Sequence, residues 1–326
     1  MYIYTTHVGS FPLNYSEEAV RKIILDLSNL GINFLGYPQL RDFVEMYLEP
    51  LIQAGAISKI KVGFRVADEK TLRKEVIDEA LVVREAKLLK EMHSSEIIKA
   101  LGLKGSITGP FTLASNIYTA GRYDISSSLL KNKRVLRDVL GSLVTSYVKG
   151  LEKLNYNMVV IDEPILSVIV GRRILLGYSE KDIVELLNEI LGEVKVKYRG
   201  IHVCGRLSPL LARILLKLDL EVLDHEHKTA PANFSVYSKE DLESNEKFLA
   251  LGVVSSKEPK VESIEEIKTL IKKGIDLYGD RLLFVKPDCG FRGLRVPGRE
   301  EEMYDISLRK LSNIITALKE LGLLYV

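Results

Sequence analysis

The chain has 326 residues, 46 basic against 44 acidic side chains, and 46% hydrophobic residues. That near-balance leaves no global field to steer it toward nucleic acid, and the composition fits neither a disordered nor a fibrous chain. The start "MYIYTTHVGSFP" lacks a basic region with an apolar run and cleavage site, and no stretch approaches the roughly 20 apolar residues that span a bilayer. The expectation is a cytoplasmic protein with neither a membrane nor a nucleic-acid partner.

Short apolar runs that end in polar, Gly or Pro residues alternate with longer segments of helical period, the signature of βα units around a parallel sheet. In chain order the runs are Ile3 to Val8, Phe34 to Pro38, Ser106 to Phe111, Met158 to Asp162, Gly200 to Cys204, Glu221 to Asp224, Phe248 to Val254 and Leu282 to Val285. Eight runs predict an α/β fold, a closed (β/α)8 TIM barrel formed by residues 1–326 as one domain. Between the second and third runs, residues 57–96 are strongly charged and are read as a helical insertion over the barrel mouth. Helix starts are legible at Ser179 with Asp182 and at Ser263 with Glu266, and the second of these helices is expected to stop at Gly279.

Polar residues gather where the runs end, and in such a barrel the carboxyl ends of all strands face one mouth. His202 and Cys204 are two apart on a predicted strand, so both side chains point the same way. Cys204 and Cys289 are the chain's two cysteines, which excludes a disulfide framework beyond one bridge. With Glu226 of "LDHEH" they read as a zinc site, since zinc accepts sulfur, nitrogen and oxygen tetrahedrally. His225 and His227 flank Glu226 and imidazole is also a good ligand, but in an extended segment they face away from it; Asp224 shares the Glu226 face and is placed to support the site. Taken alone, His-x-Cys is short enough to arise by chance.

"VVIDEP" delivers Asp162 and Glu163 at the end of a buried run, where carboxylates hold an ammonium or, equally, start a helix before Pro164. Backbone N–H groups around Gly9 and Ser10 suit a carboxylate, although the same residues read as an ordinary turn. Glu45, on a predicted helix, reads by itself as a solvated charge.

Together, "TTHVGSFP", "RDFVEMYL", "GSITGPFTL", "VVIDEP", "IHVCG", "LDHEH", "GVVSSKEPKVESIEEI" and "KPDCGF" resemble, in order, the blocks of the catalytic domain of cobalamin-independent methionine synthase, from near residue 1 to about residue 295. The resemblance implies zinc ligands at His202, Cys204, Glu226 and Cys289. It also implies homocysteine binding by the Val8-Gly9-Ser10 backbone with Glu45 and Asp162, and catalytic roles for Glu226, displaced by the incoming sulfur, and for Lys257. Two departures stand out. The usual enzyme carries a second, N-terminal barrel that helps hold folate, and Lys257 stands where the family has a histidine that protonates the departing nitrogen, with Ser255 replacing a nearby aspartate.

Expelling tetrahydrofolate needs a proton, and a positioned acid contributes roughly 100-fold to 10,000-fold. The departures therefore point to homocysteine methylation from a corrinoid, methylcobalamin or a methylated corrinoid protein, with a separately encoded partner in place of the missing barrel. Alternatives are methyltetrahydrofolate as donor, a coenzyme M-type thiol acceptor, and a non-enzymatic subunit whose zinc is structural.

Overall fold

The computed structural model describes residues 1–68, 70–74, 77–119, 121–192 and 194–325. Eight parallel strands form one sheet: β1 (Tyr4–Thr5), β2 (Phe34–Gly36), β3 (Gly102–Thr108), β4 (Met158–Asp162), β5 (Tyr198–Val203), β6 (Val222–His225), β7 (Phe248–Val254) and β8 (Leu282–Pro287). Neighbours in space follow chain order, with β1 beside β8, and the bridge between Thr6 and Phe34 joins β1 to β2 and completes the barrel. Backbone pairing is thin at that seam, and side chains reinforce it. Asn33 Oδ1 accepts from Thr5 N and Oγ1, Thr6 Oγ1 donates to Phe34 O, and His7 Nε2 accepts from Gly36 N at 2.9 Å.

Each predicted run supplies a barrel strand. The third begins earlier than expected and ends at Thr108, because Pro110 at the first helical position starts the helix Pro110–Ser115 that takes Phe111. The two predicted helix starts form as read. Ser179 and Asp182 exchange hydrogen bonds before Glu180–Gly192, and Ser263 and Glu266 form a capping box on Ile264–Tyr278, which ends at Gly279.

Alternate strand residues point inward, and at the amino ends of the strands they are apolar. Tyr4, Phe34, Tyr198 and Phe284 meet there with ring centroids 5.2–5.7 Å apart, and Met158, Val160, Val222 and Ala250 fill the space between them. Outward-facing strand residues join the helices in a larger apolar layer. Further up the barrel, the inward positions turn polar.

The expected helical insertion at 57–96 is corrected. Ile57–Ile60 and Gly63–Val66 form an antiparallel hairpin that adds Ile117–Tyr118 as a third strand, and within the span only Arg84–Ser94 is a helix among the described residues. Residues 69, 75 and 76 of that span lie outside the described residues. Ile57 and Phe64 are buried while Ser58, Lys59 and Arg65 are exposed, so the charges of the hairpin face solvent.

Candidate metal and substrate site

The strand register places Thr108, Asp162, His202 and Asp224 side by side on β3 to β6. Cys204 follows β5, Glu226 follows β6 and Cys289 lies two residues beyond β8, so the barrel brings them to one mouth. His202 Nε2 lies 3.0 Å from Cys204 Sγ, and Cys204 Sγ lies 3.3 Å from Cys289 Sγ. Both cysteines are free, since an S–S bond is about 2.05 Å. One imidazole nitrogen and two sulfurs thus lie mutually within 4.8 Å.

This donor set fits zinc. Ligand bonds of about 2.3 Å to sulfur and 2.1 Å to nitrogen in a tetrahedron put the sulfurs about 3.8 Å apart and sulfur about 3.6 Å from nitrogen, so a small expansion of the cluster accommodates the ion. Glu226 lies outside this trio. Its Oε2 accepts from Thr229 Oγ1 at 3.1 Å, while its buried Oε1 has no hydrogen-bond partner and lies 3.8 Å from Lys257 Nζ. This oxygen is buried without a hydrogen-bond partner, and the Glu226 charge is near enough to help push the Cys204 thiol up.

His202 Nδ1 bonds Asp224 Oδ1 at 2.6 Å, which orients Nε2 toward the sulfurs. Burial opposes charge on this ring, but Asp224 outweighs it and lifts the pKa to about 10. Cys289 is held well below the usual thiol range, chiefly by the Cys204 thiol donating to it and also by His202, while the same pairing and burial push Cys204 up. The pair therefore already favours one thiolate, the form that binds metal.

Asp162 carries a buried Oδ1 with no hydrogen-bond partner. Burial pushes its pKa up to about 7, against the pull of His202 and Lys104. Glu163 plays a different part: its carboxylate accepts from Phe111 N, Thr112 N and Thr112 Oγ1 and caps the helix Pro110–Ser115, and a Cβ on Gly109 would lie 2.2 Å from it. Gly9 has φ +126° and its carbonyl accepts from Gln39 N, Ser10 O accepts from Phe291 N, and Ser10 Oγ packs against Gly290, so this turn abuts the Cys289 loop. Val8 is buried beside it.

Glu45 makes its ion pair with the hairpin. It starts the helix Glu45–Gln53 and pairs with Lys59 of the hairpin at 2.5 Å. His225 and His227 stay out of the cluster: His225 contacts Val203 O and Tyr237 OH, His227 Nδ1 meets His225 O, and burial lowers both to about 3. Sequence reasoning passed over Lys104, Lys286 and Asp288, each buried beneath the cluster. The two lysines carry a signal, since a lysine inside "GLKGSIT" or "LLFVKP" interrupts an otherwise buried strand.

Residues 14–306 match the family described as cobalamin-independent synthase, catalytic domain. The chain belongs to this family. A methionine synthase of Methanocaldococcus jannaschii is 28% identical, with 97% of this chain and 98% of that protein covered. The 5-methyltetrahydropteroyltriglutamate–homocysteine methyltransferase of Bacillus licheniformis is 25% identical over 94% of this chain, which spans 38% of that longer protein. In fold, the B12-independent methionine synthase from Shewanella sp. W3-18-1 in complex with selenomethionine superposes with a TM-score of 0.70 at 14% identity, covering 99% of each chain. The (β/α)8 fold and a methyltransferase activity of the methionine-synthase type follow from this membership. The corrinoid donor does not: the family is by description independent of cobalamin. The two departures, the second barrel and Lys257 for a histidine, do not decide the donor, because an ammonium also donates a proton. No helix among the described residues is long and apolar enough to cross a membrane.

Proposed function

We propose that this protein transfers a methyl group from a methyltetrahydrofolate-type donor to the sulfur of homocysteine, giving methionine, with zinc held by His202, Cys204, Cys289 and Glu226. The observation that carries the reading is the His202–Cys204–Cys289 cluster at the barrel mouth with two unpartnered carboxylate oxygens, Glu226 Oε1 and Asp162 Oδ1. The donor class is supported by the family description and by the name of the longer Bacillus relative.

When bound, zinc supplies a positive centre that keeps an incoming thiol deprotonated near neutral pH. Asp162 Oδ1 is free to accept the substrate ammonium, and the Gly9–Ser10 turn offers its backbone to the carboxylate. With zinc bound, Glu226 would be the ligand able to make room for the thiol, and Lys257 Nζ, 3.8 Å from its carboxylate, would pair with the freed charge. The Lys257 ammonium, its side chain 64% exposed at the rim, is also suited to deliver the proton that the departing nitrogen needs.

The test supplies zinc-loaded protein and homocysteine with methyltetrahydrofolate, in mono- and polyglutamyl forms, and measures methionine. Turnover that falls roughly 100-fold or more in Lys257→Met, with folding intact, supports the reading. No methionine from any folate form rejects the donor.

A further inference from the structure

Burying an ammonium costs several kcal/mol unless its protons find acceptors. Lys286 is fully buried, and its three protons have three acceptors: Asp224 Oδ1 at 2.6 Å, Pro287 O at 2.9 Å and Asp288 O at 2.9 Å. These acceptors belong to two arms of the cluster. Asp224 Oδ1 also receives His202 Nδ1 at 2.6 Å, and Pro287 and Asp288 are the residues that lead into Cys289.

We propose that Lys286 is the positioning residue that fixes His202 relative to Cys289, acting through Asp224 on one side and the 287–288 backbone on the other. Its ammonium bonds protein acceptors, and the idea rests on the metal reading above only for its affinity and cobalt readouts. The next inward residue extends the tie to a third arm. Asp288 Oδ1 accepts from His227 N and Lys228 N, and its Oδ2 from Thr229 N and Oγ1, which fastens the segment following Glu226. A Cβ on Gly252 would lie 2.3 Å from Asp288 Oδ1, so only glycine leaves room for this clamp. On the far side Lys104 Nζ, 3.7 Å from Asp224 Oδ2, donates to His7 O at 2.8 Å and holds the carboxylate in place from β3. The four residues from Lys286 to Cys289 thus join three strand ends that are remote in sequence.

The experiment compares wild type with Lys286→Met, Asp224→Asn and the double variant. Zinc affinity is read by competition with a chromophoric chelator, site geometry by the visible bands of cobalt(II), and hydrogen–deuterium exchange is measured on the metal-free proteins. Lys286→Met is expected to bind zinc roughly 10- to 100-fold more weakly, to shift the cobalt bands, and to exchange faster at 286–291 and 200–204 while the rest of the barrel is unchanged. A folded Lys286→Met with wild-type affinity, bands and local exchange overturns the proposal. If that variant fails to fold because Asp224 is left unpaired, the uncharged double variant is compared with Asp224→Asn by the same readouts, and equality between those two overturns it. A wild-type chain that takes up neither metal sinks the metal reading instead, and the exchange pattern still decides the role of Lys286.

Discussion

The floor of the barrel and its mouth are built on the same strands, yet they are held by different forces. At the floor, Tyr4, Phe34, Tyr198 and Phe284 pack edge to face, and dispersion and burial do the holding. At the mouth, Lys104, Asp224, Lys286 and His202 are buried, and charge pairs hold them, short and directional between Asp224 and both Lys286 and His202. Apolar packing is non-directional and yields a stable shape. A network of charge-assisted bonds yields fixed distances, which is what a metal and a thiol substrate require. The two regions should therefore fail differently when cut.

The largest effect is expected at the floor. Phe284→Ala should lower folding stability by about 3–5 kcal/mol in chemical denaturation, while the folded fraction keeps wild-type zinc affinity. A matching loss of affinity would mean the two regions are one unit. At the mouth, Cys289→Ser should weaken zinc binding by about 3 kcal/mol or more, a quarter of what four ligands supply, and leave the stability of the metal-free protein within about 1 kcal/mol of wild type; chelator competition and denaturation read the two separately.

Asp162→Asn sharpens the division within the mouth itself. Losing a charge-assisted contact of about 1.5–3 kcal/mol predicts a KM for homocysteine raised roughly 10- to 100-fold. Stability should hold or rise, because an unpartnered buried carboxylate disappears. A lower melting temperature with unchanged KM would make Asp162 structural. The smallest effect belongs to the hairpin: Lys59 and Glu45 are both exposed, and Lys59→Ala should cost less than about 1 kcal/mol in thermal unfolding.

The eight strands were legible because each is an apolar run of the right length, and Ser179 and Ser263 announced their helices through capping side chains. The His202, Cys204 and Cys289 cluster was legible because His-x-Cys on a strand has one geometry. The hairpin was missed because strands of four residues carry too few alternations to set against a charged composition. The Glu45 pairing was not legible because a resemblance along the chain does not say which neighbour, here Lys59, claims a side chain. Lys286 escaped notice because its meaning lies in Asp224, 62 positions away, and only the closed barrel makes them partners.

The central claim is that one zinc ion sits in the His202, Cys204 and Cys289 cluster with a place that exchanges for a thiol. X-ray absorption at the zinc edge, with and without homocysteine, tests it most directly. The account predicts one zinc per chain with two sulfur ligands and lighter nitrogen or oxygen neighbours, and on adding homocysteine a third sulfur at about 2.3 Å with the loss of one oxygen. A substoichiometric metal, or a spectrum that homocysteine leaves unchanged, would contradict it.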